Sequence, residues 1–151
     1  VFVVVRYFYS FIPWPYPENG ATEWLDIALP QIEAGERIFL AITLREKNDD
    51  QLIGVLYLNL VGPHHRSFWL APAYHRQGYM TEAVGIVCKW ALSRFDVRAV
   101  LAETDVKNEA SIKVVKKNGV VQFAEREKML WWRKSRPIAV KLTDYSATTP
   151  E

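Results

Sequence analysis

The sequence predicts one α/β or α+β domain in which helices pack on a β-sheet. Two apolar runs rich in β-branched residues flank a turn, one long helical stripe follows them, and further short strands surround a last helix. The predicted order is helix, three strands, helix, strand, helix and two strands. Half of the 151 residues are hydrophobic and 24% are charged, which is typical of a globular protein with one core.

The first elements are a helix and a β-hairpin. Three prolines at alternate positions exclude regular structure in residues 11–17, and Asn19 offers an N-cap for a helix over residues 20–34, interrupted or kinked near Pro30. The turn-like residues 47–50 separate the two hairpin strands, and residues 62–65 form another turn. These early strands are predicted at residues 38–44, 52–60 and 67–71. Residues 1–9, read alone, form a further strand.

The second helix has the clearest pattern in the chain. Its apolar stripe at helical spacing contains Ala83, Val84, Val87, Cys88, Ala91, Leu92 and Phe95. A third helix begins near Asn108 and ends at Asn118 and Gly119. The remaining strands are predicted at residues 98–103, 120–123 and 137–143.

Charge and composition exclude several classes of protein. The chain has 19 basic and 17 acidic residues, too balanced for an obligate nucleic-acid binder and more typical of a protein with a small anionic partner. The single Cys88 excludes an internal disulfide and favours a reducing, cytoplasmic compartment. No apolar run is long enough to span a membrane. His64 and His65 have no metal-ligand partners at useful spacing, so no metal site is expected.

A basic, glycine-containing turn precedes the second helix. The start of a helix exposes unpaired backbone N–H groups and the positive end of its dipole, and Gly78 allows close approach of a ligand. His75 and Arg76 add positive potential, so the turn suits a phosphate or pyrophosphate. These residues alone fit a simple chain reversal equally well. Neither a Walker-type loop nor a Rossmann fingerprint is present.

The turn resembles the phosphate turn of the GNAT superfamily of acetyl-CoA-dependent N-acetyltransferases. That turn has Gln or Arg, two residues, Gly, one residue, and Gly or Ala. Gly78 matches, whereas His75 occupies the Gln/Arg position and Met80 the Gly/Ala position. Other segments are similar to the branch of ribosomal-protein N-terminal (alanine/serine) acetyltransferases: residues 13–17 followed by Trp24 and Leu25, residues 68–74, 102–111 and 114–120. The resemblance covers nearly the whole chain.

The resemblance implies a fold and a cofactor. The fold is a GNAT-like mixed, mostly antiparallel central sheet with splayed middle strands and helices on both faces. Residues 1–151 form one such domain that lacks the family's first strand, because residues 4–8 align with the end of its first helix. Acetyl-CoA is the co-substrate. Backbone groups of Trp69, Leu70 and Ala71 pair with its pantetheine arm, and its pyrophosphate binds the turn formed by His75, Arg76, Gln77, Gly78, Tyr79, Met80 and Thr81.

The resemblance also assigns catalytic roles. The backbone N–H of Leu70 stabilises the oxyanion formed when an amine attacks the thioester. Asn108 binds the cofactor arm or orders the site, and Ser111 stabilises the leaving thiolate. Helix capping is the alternative role of Asn108 and Ser111. Glu103 is the candidate general base, and an exposed carboxylate at a strand end is its alternative.

The acceptor implied by the resemblance is a primary amine, with a protein N-terminus as the branch's substrate. The alternatives are a small amine (antibiotic, polyamine or amino acid) and a non-catalytic acyl-CoA-binding domain, suggested by Met80 and the missing strand. Six aromatic residues are predicted to line an acceptor pocket or a homodimer contact, or else to pack in the core: Tyr7, Phe8, Trp14, Tyr16, Trp131 and Trp132. A lysine cluster is assigned to the CoA 3′-phosphate rather than to nucleic acid: Lys107, Lys113, Lys116 and Lys117.

Overall fold

A computed structural model describes residues 15–44, 51–61, 66–95, 99–126 and 129–135. In these ranges the order of helices and strands is the predicted one as far as the strand after the third helix, and one further strand follows it. The elements are α1 (Gly20–Glu33), β1 (Arg37–Ile42), β2 (Gly54–Asn59), β3 (Arg66–Leu70), a 3₁₀ turn (Pro72–Tyr74), α2 (Tyr79–Arg94), β4 (Ala99–Asp105), α3 (Glu109–Lys117), β5 (Val121–Arg126) and β6 (Met129–Ser135). None of the described helices is long and apolar enough to cross a membrane.

The strands form two antiparallel sheets of three strands each. One has the order β1-β2-β3 and the other the order β4-β6-β5. β3 and β4 are close neighbours, yet no strand pairing joins them. The helix α2 connects them, and a helical crossover is the connection typical of parallel strands. The two sheets therefore separate at their middle strands, which confirms the expected splayed arrangement.

Helices cover both faces of the first sheet, as expected. Alternate residues of a strand point to opposite faces, and α1 lies on the face that carries Phe39 and Tyr57. The ring of Trp24 packs edge-on against Phe39 at a centroid distance of 5.0 Å. The opposite face carries Leu56 and Leu58, which are buried in the main core together with α2.

The apolar stripe of α2 is the centre of this core. Val84, Val87, Cys88, Ala91 and Leu92 are buried, as the helical spacing predicts. Ala83 and Phe95 pack at the margin of the same cluster. A second cluster lies between α3 and the second sheet. Its buried members are Ala102, Val115, Val120, Leu130 and Trp132.

The structure corrects several boundaries and one element. β6 covers Met129–Ser135, a segment that was not predicted to be a strand, and its Trp132 is a buried core residue. Asn19 stands at the N-cap of α1 without a side-chain capping bond, and α1 runs through Pro30 as one helix. Other predictions lie outside the described residues: the strands at residues 1–9 and 137–143, the turns at 47–50 and 62–65, and the side chains of Tyr7, Phe8, Trp14 and Trp131.

Candidate active site

The inner edge of β3 presents the backbone groups of Leu70 to the gap between the sheets. The N–H of Ala71 donates to the carbonyl oxygen of Ile53 at 2.8 Å, whereas the N–H of Ile53 donates to Ile42, so a β2–β3 hydrogen bond falls at the Ala71–Ile53 position of the ladder. The next pair, Leu70 and Gly54, is then non-hydrogen-bonded, because the two kinds of pair alternate in an antiparallel ladder. The backbone N–H and C=O of Leu70 consequently point away from β2, towards β4.

His75 takes up the carbonyl group of Leu70. Its Nε2 atom lies 2.8 Å from the Leu70 oxygen and acts as the donor. The ring therefore holds the peptide that follows Leu70, and it leaves the N–H of Leu70 directed into the gap. The three residues predicted to pair with the pantetheine arm are therefore not equivalent. Leu70 directs its N–H into the gap, whereas the N–H of Ala71 is already bonded to Ile53.

The chain reverses tightly between β3 and α2. Arg76 and Gly78 have positive φ angles of 63° and 92°, a conformation that glycine adopts at little cost and arginine only rarely. The side-chain amide of Gln77 donates to the Ala73 carbonyl at 3.0 Å and holds the first half of the reversal. These contacts bring the residues of the predicted phosphate turn directly after the end of β3.

The N-terminus of α2 has unused hydrogen-bond donors. Gly78 is its N-cap residue and no side chain caps the helix. The first helical bond runs from the N–H of Glu82 to the Gly78 carbonyl at 3.0 Å, so the N–H groups of Tyr79, Met80 and Thr81 have no partner inside the helix. A Cβ atom added at Gly78 would meet nothing within 4 Å, so there is open space beside the turn. Uncapped donors, a helix dipole and open space fit a phosphate-bearing ligand.

Met80 points away from this space. Its side chain is only 5% exposed and packs in the main core beside Val84 and Leu70. The methionine in the Gly/Ala position therefore does not fill the turn. Met80 in this position therefore gives no support to a non-catalytic domain.

Asn108 and Ser111 lie at the start of α3, which follows the carboxyl end of β4. The Asn108 side-chain oxygen accepts a hydrogen bond from the Ser111 backbone N–H at 3.1 Å, so Asn108 is an N-cap. The Ser111 side chain is half-buried, and within the described ranges no group hydrogen-bonds its hydroxyl. Glu103 is exposed and lies on the strand face opposite to that of Ala102 and Thr104.

The contacts of two residues in this region were not predicted from the sequence. His75 was assigned to the phosphate turn and to its positive potential, but its bond to the Leu70 carbonyl was not predicted. Asn118 was assigned only the end of α3, although its side-chain amide donates to Thr81 in α2. The signal available for Asn118 was Gly85, a glycine within a regular helical stripe, which often marks a close contact.

The family of the chain follows from a comparison with known domains. Residues 3–121 match the acetyltransferase (GNAT) domain family, which is most of the chain. The chain therefore belongs to the GNAT acetyltransferase family and is an acetyltransferase that uses acetyl-CoA as co-substrate. No curated protein matches its sequence.

Solved structures have the same fold at low identity. A ribosomal-protein-S5-alanine acetyltransferase from Vibrio fischeri is 19% identical, with a TM-score of 0.69 over 89% of this chain and 83% of its own. A ribosomal L7/L12 alpha-N-protein acetyltransferase in complex with coenzyme A is 17% identical, with a TM-score of 0.70 over 82% and 77%. A spermidine N-acetyltransferase from Vibrio cholerae, in complex with CoA and spermine, is 14% identical, with a TM-score of 0.65 over 87% and 80%.

Metal-ligating side chains do not cluster in the described part of the chain. No group of three or more His, Cys, Asp or Glu residues there could hold a metal ion.

Proposed function

We propose that this protein transfers the acetyl group of acetyl-CoA to a primary amine in the gap between β3 and β4. The observation that carries the proposal is the direction of the Leu70 backbone N–H, which faces the gap eight residues before the Gly78 turn. One strand thereby supplies an oxyanion donor, and the loop that continues it supplies an anion-binding turn.

Acetyl-CoA binding would use main-chain groups more than side chains. The N–H groups of residues 76–81 would hold the pyrophosphate, and Gly78 would keep the approach to them open. The pantetheine arm would enter between the unpaired edges of β3 and β4. Among Trp69, Leu70 and Ala71, Leu70 is the one whose N–H remains for the thioester, because the Ala71 N–H donates to Ile53 and Trp69 is paired with Val55 in β2.

The proposed reaction is a direct acyl transfer. The neutral amine forms a bond to the acetyl carbonyl carbon, the Leu70 N–H donates to the oxygen as negative charge develops there, and the bond to sulfur then breaks. The amine loses one proton, and the departing thiolate gains one. An α-amine has a pKa of about 7.7 to 8.0, so a modest base or a water molecule suffices near neutral pH.

Two side chains remain candidates for the proton transfers. Glu103 would take the proton of the amine, directly or through water, from the exposed face of β4. Ser111 would donate a hydrogen bond to the leaving thiolate, and its unengaged hydroxyl at the start of α3 is consistent with that role. Asn108 would act on the site by capping the helix that carries Ser111. We further propose that residues 1–151 form one acetyltransferase domain of the cytoplasm, in keeping with the unpaired Cys88.

The acceptor we propose is the α-amine of a protein N-terminus. The similar structures include acetyltransferases named for ribosomal proteins, and also one named for spermidine. A direct comparison separates the two classes: a short peptide with a free N-terminal alanine or serine against spermidine, each at equal concentration, with CoA release as the readout. Faster turnover of spermidine would replace the peptide by a polyamine as the acceptor class.

The binding site itself is tested with two matched glycine variants. Gly78 and Gly35 both have positive φ angles, and a Cβ atom would meet nothing within 4 Å at either. Gly78→Glu and Gly35→Glu therefore both place a side chain at a positive φ angle and add the same charge, but only the first alters the phosphate turn. Titration with acetyl-CoA by calorimetry should give micromolar binding for the parent and Gly35→Glu, and at least tenfold weaker binding (about 1.4 kcal/mol) for Gly78→Glu.

Two results would contradict the proposal. Absence of acetyl-CoA binding by the folded parent would exclude an acetyltransferase role for this chain. Equal loss of affinity in both variants would show that strain, not the turn, is responsible. Thermal unfolding of all three proteins supplies the control for folding, since each substitution at positive φ is expected to destabilise by about 1 kcal/mol or more.

A further inference from the structure

Asn118 forms hydrogen bonds with three elements of the domain: α2, α3 and β6. Its side-chain Nδ2 donates to the carbonyl of Thr81 in α2 at 3.0 Å and to the carbonyl of Val114 in α3 at 3.0 Å. Its own backbone oxygen accepts a hydrogen bond from the Nζ of Lys134 in β6 at 2.9 Å. The residue is half-buried at the C-terminal end of α3, so these bonds are partly shielded from water.

The contact with α2 is unusually close. Gly85 lies one turn after Thr81, and the Thr81 carbonyl is its helical partner. A Cβ atom at Gly85 would lie only 2.6 Å from the Oδ1 of Asn118. The amide of Asn118 therefore packs directly on the backbone of α2, and only glycine leaves room for it. A glycine inside a helix lowers stability by about 1 kcal/mol relative to alanine. The contact of Asn118 with α2 offsets a loss of about this size.

The two residues that accept hydrogen bonds from the Asn118 side chain both lie near the candidate site. Thr81 is the last residue of the phosphate turn, in the first turn of α2. Val114 is one turn from Ser111 on α3, the helix that begins at Asn108. Asn118 is thus the described side chain that links the helix after the phosphate turn to the helix that carries Ser111. Lys134 fixes this linker from a third side, against β6.

We propose that Asn118 is a positioning residue that sets the spacing between the pyrophosphate-binding turn and Ser111. This inference rests on the proposed acetyl transfer. The phosphate turn fixes one end of acetyl-CoA, and the thioester sulfur must then reach Ser111 at the other. A shift of α3 relative to α2 would leave the turn intact but misplace the hydroxyl from the sulfur, and misplacement by about 1 Å can lower a rate a hundredfold.

Three variants test this proposal with two readouts. Asn118→Ala removes both side-chain donors. Gly85→Ala keeps Asn118 but pushes its amide away from α2, while alanine itself favours the helix. Ser93→Ala is the matched control, because Ser93 makes one side-chain bond to the Trp90 carbonyl at 2.9 Å at the far end of α2. For each protein, kcat is measured per folded molecule, and the Kd of acetyl-CoA is measured by calorimetry.

The expected result is a split between rate and binding. Asn118→Ala and Gly85→Ala should lower kcat about tenfold or more, with the Kd of acetyl-CoA changed by less than about threefold, whereas Ser93→Ala should leave both unchanged. A residue with only a structural role would lower the unfolding temperature and leave kcat unchanged. If the parent turns over an amine and Asn118→Ala keeps its kcat, the positioning role is excluded and the acetyltransferase stands. If the folded parent turns over no amine, the proposed function fails, and this inference with it.

Discussion

Arg66 and Cys88 show how single residues in the core influence each other. Arg66 is 4% exposed, and its guanidinium lies beside the thiol of Cys88, with no oxygen acceptor for its nitrogens within the described ranges. Its guanidinium lies over the ring of Phe68 at 5.6 Å, a contact that offsets part of the cost of burying the charge. Burial lowers the pKa of Arg66, and burial raises the pKa of Cys88, an effect that the positive charge of Arg66 partly opposes.

The raised pKa of the Cys88 thiol leads us to expect a loss of stability at alkaline pH. Its pKa is raised from 9.0 by folding, so above pH 9 the unfolded chain has lost a proton that the folded protein still holds. The free energy of unfolding should therefore be unaffected by this group below pH 9 and fall above it, by up to about 1.4 kcal/mol per pH unit. Urea unfolding at pH 8.0, 9.5 and 10.5 measures this slope, with Cys88→Ala as the control. An equal slope in both proteins would contradict it.

Sequence reasoning at this scale succeeded for residues on a repeated pattern. Cys88 was predicted to be in the core because it lies on the helical stripe, and it is buried. Arg66 was not predicted to be buried, because a charged residue beside a polar turn is usually exposed. Its burial depends on the packing of α2 over β3, which involves residues that are distant in the sequence.

The elements differ in how well their local sequence specifies them. α2 was predicted from its period of 3.6 residues, and α3 from the Asn108 cap and the Asn118–Gly119 end. β6 was missed, because its two tryptophans were assigned to an acceptor pocket, a dimer contact or the core, and its two basic residues are typical of an exposed segment. Only the pairing with β4 and β5 decides which of its side chains face the core, and Trp132 then does so.

Gly54, at the start of β2, is predicted to tolerate substitution poorly, because it packs against the backbone of β3. A Cβ atom there would lie 2.6 Å from the Trp69 carbonyl oxygen and 3.3 Å from the Cα of Leu70, so the backbone of β3 would have to move. Gly54→Ala should destabilise the protein by about 1–3 kcal/mol, as for overpacking in a core, and should lower kcat because the Leu70 N–H moves with its strand. Chemical denaturation and initial rates measure the two effects.

Gly20→Ala is the contrasting variant for this experiment. A Cβ atom at Gly20 would approach only the ring of Tyr16, at 2.9 Å, and that exposed ring can move. Alanine also suits the first turn of α1 better than glycine. This variant should be as stable as the parent or slightly more stable. Similar losses at Gly20 and Gly54 would mean that glycine substitution is generally harmful here and that β3 is not specifically affected.

The whole molecule is built around an interrupted sheet. Local patterns predicted its helices and most of its strands, but no residue pattern predicts where two neighbouring strands fail to pair. That expectation came from the resemblance to a family. In the structure, β3 pairs with β2 along one edge only. The backbone groups of Leu70 lie at its other edge, where the His75 ring binds the Leu70 carbonyl. The separation of the sheets is thus a property of the assembled domain.

Hydrogen exchange should report this arrangement across the molecule. In the free protein the Leu70 amide faces the gap and should exchange faster than those of Trp69 and Ala71, which point to β2. Saturation with acetyl-CoA at about 100 times its Kd raises the stability of the whole domain by about 2.7 kcal/mol through mass action, and should in addition protect Leu70 at least about tenfold by filling the gap. Exchange followed by NMR on single amides separates the two effects, because amides that exchange through local opening respond only to the ligand beside them. At the same acetyl-CoA concentration, a Gly78→Glu variant that binds tenfold more weakly should gain only about 1.4 kcal/mol of stability and show correspondingly weaker protection of Leu70. If the Leu70 amide is already as slow as that of Ala71 in the free protein, or is unchanged by acetyl-CoA that does bind, then β3 does not present this N–H to the cofactor, and the oxyanion donor must be sought elsewhere in the domain.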